Sequence, residues 1–316
     1  MTVQKKLLVL IDGSERSIQT VNYVKEFMPV DENTQIVLFH VFSGRPEEYR
    51  TLEEDPNCHS AVRQLRDRET AHERKTRAHL DRAKKILITG GFSEQSIEIK
   101  FRPLEKGVAR DIIDEAGNGY TAVVLRRRGI GALKSIILGS VALKLLQSLT
   151  FIPIIIVGKA PPVKKIMLAV DTSPFSMKAV EFVTSLLGGH GYEVCIFHAI
   201  RGLGAINFEV SEIKVLEMSD AISDSCVEAF KSEVARLFQG IRYKLMASGF
   251  EFEKISEKII SGVPSRSEAI VKEAEDGCCS TIVIGRRGLS KVEAFFMGRV
   301  GHKVVYGGRN FTVWVV

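Results

Sequence analysis

LLVLIDGSERSIQTVNYV, Leu7 to Val24, runs from five apolar residues into an aspartate, a glycine and a serine, then sets Ile18, Val21, Val24 and, just beyond, Met28 at helical intervals. A short apolar run closed by turn residues reads as a strand, and the spacing after it as a helix with Ser14 at its N-cap. The pattern returns as IMLAVDTSPFSMKAVEFV, Ile166 to Val183. There Ser173 caps, and Pro174 takes the first helical position, where its missing N–H costs nothing. Asp12 and Asp171 are 159 residues apart, as are Gly139 and Gly298 in the matching stretches RRGIGALKSIILGSVALKLL and RRGLSKVEAFFMGRVGHKVV. VLFHVF pairs with CIFHAI, and GVARDII with GVPSRSEAI. The chain is a duplicated domain. We expect domains at 1–159 and 163–316, joined through GKAPPVKK, whose adjacent prolines favour an extended linker.

The remaining strands are short β-branched runs: QIVLFHV, SIEIKF, TAVVL and IPIIIV in the first half, YEVCIFHA, FEKISEKII, STIVI and FTVWVV in the second. Nearly continuous apolar strands separated by helices predict an α/β fold, two doubly wound domains each with a mainly parallel five-stranded sheet flanked by helices. Ligands of such sheets bind beyond the carboxyl ends of the strands, where strand order reverses. Asp12 and Asp171 follow the first strand of their halves, and RRRG and GRRG follow the fourth.

Composition narrows the function. The chain has 316 residues, 45% of them hydrophobic, enough for two cores. A net charge of +6 spread over two domains does not demand a nucleic-acid partner, though it favours anionic ligands. The lysines and apolar run at the N-terminus are too short for a signal peptide, no apolar run approaches a membrane span, and the cytoplasm is the expected location. Five cysteines without a CxxC pair indicate neither a disulfide framework nor a zinc site. Cys278 and Cys279 read as small residues leading into a buried strand. The segment Val62 to Lys85 holds nine basic and four acidic residues at helical spacing and reads as a solvated helix face. His40 and His198 look like strand-end residues, and His72 and His79 have no further metal ligand beside them. No base or nucleophile oriented by a partner can be assembled, so no catalytic residue and no metal site is expected.

In the second half Gly285 and Gly288 flank a turn, nine residues intervene, and Gly298 opens a helix whose free N–H groups attract phosphate. An aspartate after strand one, GxxG, nine residues and G after strand four, and a terminal apolar strand, all duplicated, resemble the universal stress protein family across essentially the whole chain. Its nucleotide-binding members carry GxxG, nine residues, then G followed by Ser or Thr, and hold ATP. The resemblance implies a site of Asp171, Ala199, Ile284, Gly285, Gly288, Gly298, Arg299 and Val300, with Asp171 at the adenine and ribose end and Ala199 giving a backbone contact to adenine. A second-choice site would use Asp12, Val41, Gly129, Gly139, Ser140 and Val141.

Each half departs from the family pattern. Arg126 stands where the first half should have its first glycine, and Arg299 where the second should have Ser or Thr. A side chain at 126 intrudes where a ligand needs bare backbone, whereas the Arg299 guanidinium can pair with phosphate. The second half is therefore the expected site of ATP or AMP, with Mg accompanying ATP, as a sensing ligand. The alternatives are a nucleotide-free interaction or scaffold module, or a weak ATPase. The resemblance also implies that the halves pair through their last strands as a pseudo-dimer, with Phe151, Ile155, Phe311 and Trp314 at the junction. Homodimerisation of the whole chain is left open.

Overall fold

A computed structural model describes residues 4–44, 58–127, 138–201, 216–287 and 297–316, with the backbone alone for 216–231. The chain divides into two compact units, Met1–Ile152 and Pro153–Val316.

The first unit holds β1 (Lys5–Leu10), α1 (Ile18–Phe27), β2 (Thr34–Phe42), α2 (His59–Thr89), β3 (Ile97–Pro103), α3 (Val108–Ala116), β4 (Ala122–Arg126) and α4 (Ser140–Ser148). β1 lies between β2 and β4, and β3 lies outside β2, all parallel. The order therefore reverses beside β1, as a doubly wound sheet requires. Ile18, Val21, Val24 and Met28 are all buried, as their spacing predicts. The helix begins later than expected, however. Its N-cap is Ser17, not Ser14, because Ser14 gives both its N–H (3.0 Å) and its hydroxyl (2.6 Å) to Asp12 Oδ1 in a local turn.

The second unit starts with β5 (Ile154–Val157) and continues through β6 (Lys165–Ala169), α5 (Pro174–Leu187), β7 (Glu193–Arg201), α6 (Leu216–Ala247), β8 (Ile255–Val263), α7 (Arg266–Asp276), β9 (Thr281–Ile284), α8 (Arg299–Gly307) and β10 (Thr312–Val315). β6 sits between β7 and β9, β8 lies beyond β7 and β10 beyond β9, all parallel. β5 closes the first repeat in sequence yet belongs to this unit, running antiparallel to β10 with Ile155 opposite Trp314. Both of those side chains are fully buried, and Trp314 meets Phe182 edge-on at 5.4 Å. Phe311 is buried as well. Phe151, by contrast, is 60% exposed.

Each unit ties its edge strand to a helix through a lysine and a buried glutamate. Lys100 Nζ reaches Glu115 at 2.8 Å, and Lys258 Nζ reaches Glu273 at 2.6 Å. The Tyr120 hydroxyl also donates to Glu115, at 2.5 Å. α2 turns its basic face outward, with Arg77–Glu73 (2.8 Å) and Arg82–Glu15 (2.7 Å) pairs typical of a solvated helix. Cys195 and Cys279 are buried and Cys278 exposed, all as free thiols, and burial pushes the Cys279 thiol up to about 12.

Candidate nucleotide site

In the second unit the register brings several of the expected residues to one end of the sheet. Since β6 lies between β7 and β9, with Ala169 opposite Phe197 on one side and Ile284 on the other, Asp171, Ala199 and Gly285 occupy the carboxyl ends of three adjacent strands. The fourth element arrives through the backbone. Gly298, the N-cap of α8, gives its N–H to Arg286 O at 2.9 Å. Arg286 N–H in turn donates to Val316 O (2.6 Å), and Val316 N–H to Ile284 O (3.1 Å). The first turn of α8 is thereby fastened to the end of β9, with Arg299 exposed and Val300 half-buried on it. Gly288 lies outside the described residues, as does Gly129 in the first unit.

The aspartates organise the entrance to the helices that follow them. Asp171 Oδ1 accepts from Ser173 N–H at 3.0 Å, from the Ser173 hydroxyl, and from the Ser176 hydroxyl at 2.8 Å. Among the described residues Oδ2 accepts none. In the first unit burial pushes the Asp12 carboxyl up, but hydrogen bonds from the side chain and backbone of Ser14 and from Ser17 outweigh it and hold the group below the usual carboxylate range.

The two units differ most at the first glycine position. A Cβ on Gly285 would stand 3.1 Å from the backbone of Phe175, in the first turn of α5. The bare backbone there admits the start of α5. Arg126 holds the equivalent place in the first unit. Burial, then the like charge of Arg16, lowers its guanidinium pKa, and Asp12 partly restores it. Gly139 caps α4 in extended backbone as Gly298 caps α8, with Ser140 exposed and Val141 half-buried behind it. Val41, the counterpart of Ala199, is buried near the end of β2.

Sequence reasoning passed over two duplicated features here. Arg127 and Arg286, each following a strand end, are both buried. His40 Nδ1 lies 2.7 Å from Ile11 O, and His198 Nδ1 2.6 Å from Val170 O. The repeated FH dipeptide was the available signal for the histidines. No such signal distinguished the arginines from ordinary loop charges.

One arrangement in the first unit has the outline of a hydrolytic triad. Ser17 Oγ is 3.3 Å from His79 Nε2, and His79 Nδ1 is 3.9 Å from Glu15. In it, however, the buried Ser17 gives its proton to Ser14 O at 2.7 Å, and Glu15 is engaged by Arg82. Among the described residues no group of three or more His, Cys, Asp or Glu is arranged to hold a metal ion, and no helix is long and apolar enough to cross a membrane.

A twice-repeated Asp-to-helix strand end, faced by a glycine-capped helix, is the layout of the universal stress proteins. The model of the universal stress protein family matches residues 4–158 and again 162–315, and the chain belongs to that family. Universal stress protein YxiE of Bacillus subtilis is 26% identical over 140 residues, 44% of this chain and 90% of that protein. A crystal structure of a universal stress protein from Archaeoglobus fulgidus superposes with a TM-score of 0.62 at 22% identity, covering 99% of this chain and 98% of its own. A functionally unknown protein, PA1789 of Pseudomonas aeruginosa, gives 0.56 at 15% identity, covering 100% and 93%. These two structures share the fold.

Proposed function

We propose that this universal stress protein binds ATP, or a related adenine nucleotide such as AMP, in its second unit, as a regulatory ligand in the cytoplasm. The observation that carries the reading is the bond from Gly298 N–H to Arg286 O, which fastens the first turn of α8 to the end of β9, the neighbour of the strand that leads to Asp171. The first amides of a helix have no intrahelical partner and attract phosphate. Arg299 stands exposed on that turn, where a guanidinium adds bidentate pairing. Mg accompanies ATP through the phosphates themselves. The engagement of Ser17 by Ser14 and of Glu15 by Arg82 supports binding over turnover. The antiparallel pairing of β5 with β10 supports a pseudo-dimer of the two repeats, which small-angle scattering of the whole chain would contradict by showing two independently tumbling bodies.

Equilibrium binding of labelled ATP and AMP tests the reading. Arg299→Glu should weaken binding at least about tenfold, since it replaces an attractive charge beside phosphate with a repulsive one. Binding that survives Arg299→Glu but is lost with a bulky change at Gly139 would move the site to the first unit. No binding by the unaltered chain would leave the interaction-module alternative. Phosphate release at saturating ATP should remain at background, and measurable turnover would instead identify a weak ATPase.

A further inference from the structure

Parallel strands exchange evenly spaced bonds, each facing residue giving an N–H and a C=O to the neighbour. Ile11 N–H donates to Phe39 O at 2.9 Å, so the next rung would run from Val41 N–H to Ile11 O. That carbonyl accepts from the His40 ring instead, at 2.7 Å. The second unit repeats the substitution. Val170 N–H donates to Phe197 O at 2.9 Å, and Val170 O is taken by His198 Nδ1 at 2.6 Å. A carbonyl can only accept, so Nδ1 carries the proton in both rings. Among the described residues no backbone bond joins Val41 N–H to Ile11 O, or Ala199 N–H to Val170 O. Phe42 O faces β3, where it accepts Leu104 N–H at 2.9 Å. By alternation, the Val41 N–H and C=O face the other way, over the end of β1.

We propose that His198, and His40 in the first unit, are positioning residues: each imidazole caps the last strand carbonyl and thereby holds the backbone N–H and C=O of Ala199 or Val41 open at the carboxyl end of the sheet. An adjacent donor and acceptor match the N1 and N6 edge of a purine, so the proposal rests on the nucleotide reading and assigns the histidine its part in it. The first-unit ring is held in place by its neighbours. His40 is 8% exposed and stacks on Phe101 at 5.5 Å between centroids. Burial lowers the pKa of both histidines, which keeps them neutral near pH 7.

The test compares the full chain with His198→Phe, which keeps a ring but loses the donor, and with His198→Asn, whose amide keeps an N–H near the place of Nδ1. Without ligand, Ala199 N–H should exchange with solvent deuterium about tenfold more slowly in His198→Phe, where it can recover Val170 O, and at the unaltered rate in His198→Asn. ATP affinity, measured alongside, should fall about tenfold in His198→Phe and stay within about threefold in His198→Asn. An Ala199 amide already protected in the unaltered chain, or exchanging equally in all three, overturns the proposal. So does unchanged affinity of His198→Phe in a chain that binds ATP. If the unaltered chain binds no ATP, the nucleotide reading fails while the exchange rates still decide the role of His198. The same comparison with His40 and the Val41 amide supplies a second measurement should a His198 variant not fold.

Discussion

The two repeats begin with the same strand, the same aspartate and the same pair of serines, yet they enter their first helices differently. In the second unit Pro174 opens α5 directly after Ser173, and the backbone of Phe175 sits over Gly285. In the first unit the chain turns through Gly13, at φ +77°, and α1 starts only at Ile18. The residue facing that turn is Arg126, which carries the same charge as nearby Arg16. The units thus differ both in the residue at the end of the fourth strand and in where the first helix starts. A position that reads as part of a ligand motif also sets how closely two backbone segments approach.

The largest expected effect concerns the glutamates that tie α3 and α7 to the edge strands. Glu115 is fully buried and held by Lys100, with Tyr120 and Arg102 beside it, whereas Lys258 in the second unit is half-exposed. Lys100→Met should destabilise the first unit by about 3 kcal/mol in urea unfolding, because it takes from a buried carboxylate its closest cation and leaves only Tyr120 and the more distant Arg102. Lys258→Met should cost clearly less, and equal losses would show that the two ties are equivalent.

Next comes an exchange at the glycine position. Gly285→Arg forces a side chain against the Phe175 backbone and should cost about 2 kcal/mol as overpacking, while abolishing nucleotide binding in the second unit. The reverse change, Arg126→Gly, removes the obstruction and is expected to create measurable ATP binding in the first unit. An ATP-binding Gly285→Arg chain would break the distinction between the repeats.

Acid should affect both units through their histidines. His40 and His198 are depressed below the ordinary imidazole value of about 6.5. The unfolded chain therefore takes up protons first as pH falls, and stability declines from about pH 6.5 downward toward the folded values. Asp12, also depressed, adds a further loss only at much lower pH, as its carboxylate protonates. Melting temperatures between pH 7.5 and 5, a range chosen around the imidazole value of about 6.5, should fall less steeply in a His40→Asn, His198→Asn double variant. An unchanged slope would assign the decline to other groups. The smallest effect is expected at the exposed Glu15–Arg82 pair, where Arg82→Ala should cost no more than about 0.5 kcal/mol.

The sequence alone determined the duplication, the order of strands and helices, and the family. These follow from apolar periodicity and from residues whose backbone demands are local, such as Pro174 after Ser173 and the glycine that opens α8. It also placed Asp171, Ala199 and Gly285 at the ends of adjacent strands, because a doubly wound sheet collects strand ends by rule. What it could not determine depends on partners distant in the chain. Ser14 has the composition of a helix cap, but Asp12 takes both its donors. Gly285 reads as a glycine of a ligand motif, but its bare backbone also admits Phe175, over a hundred residues earlier. The histidines carry no motif beyond a dipeptide, and their role emerges only when β1 ends beside β2, and β6 beside β7, leaving one carbonyl within reach of each ring. Local conformational preference is written residue by residue, whereas the ownership of a hydrogen bond or a small volume is settled by competition among groups that meet only after the chain has folded.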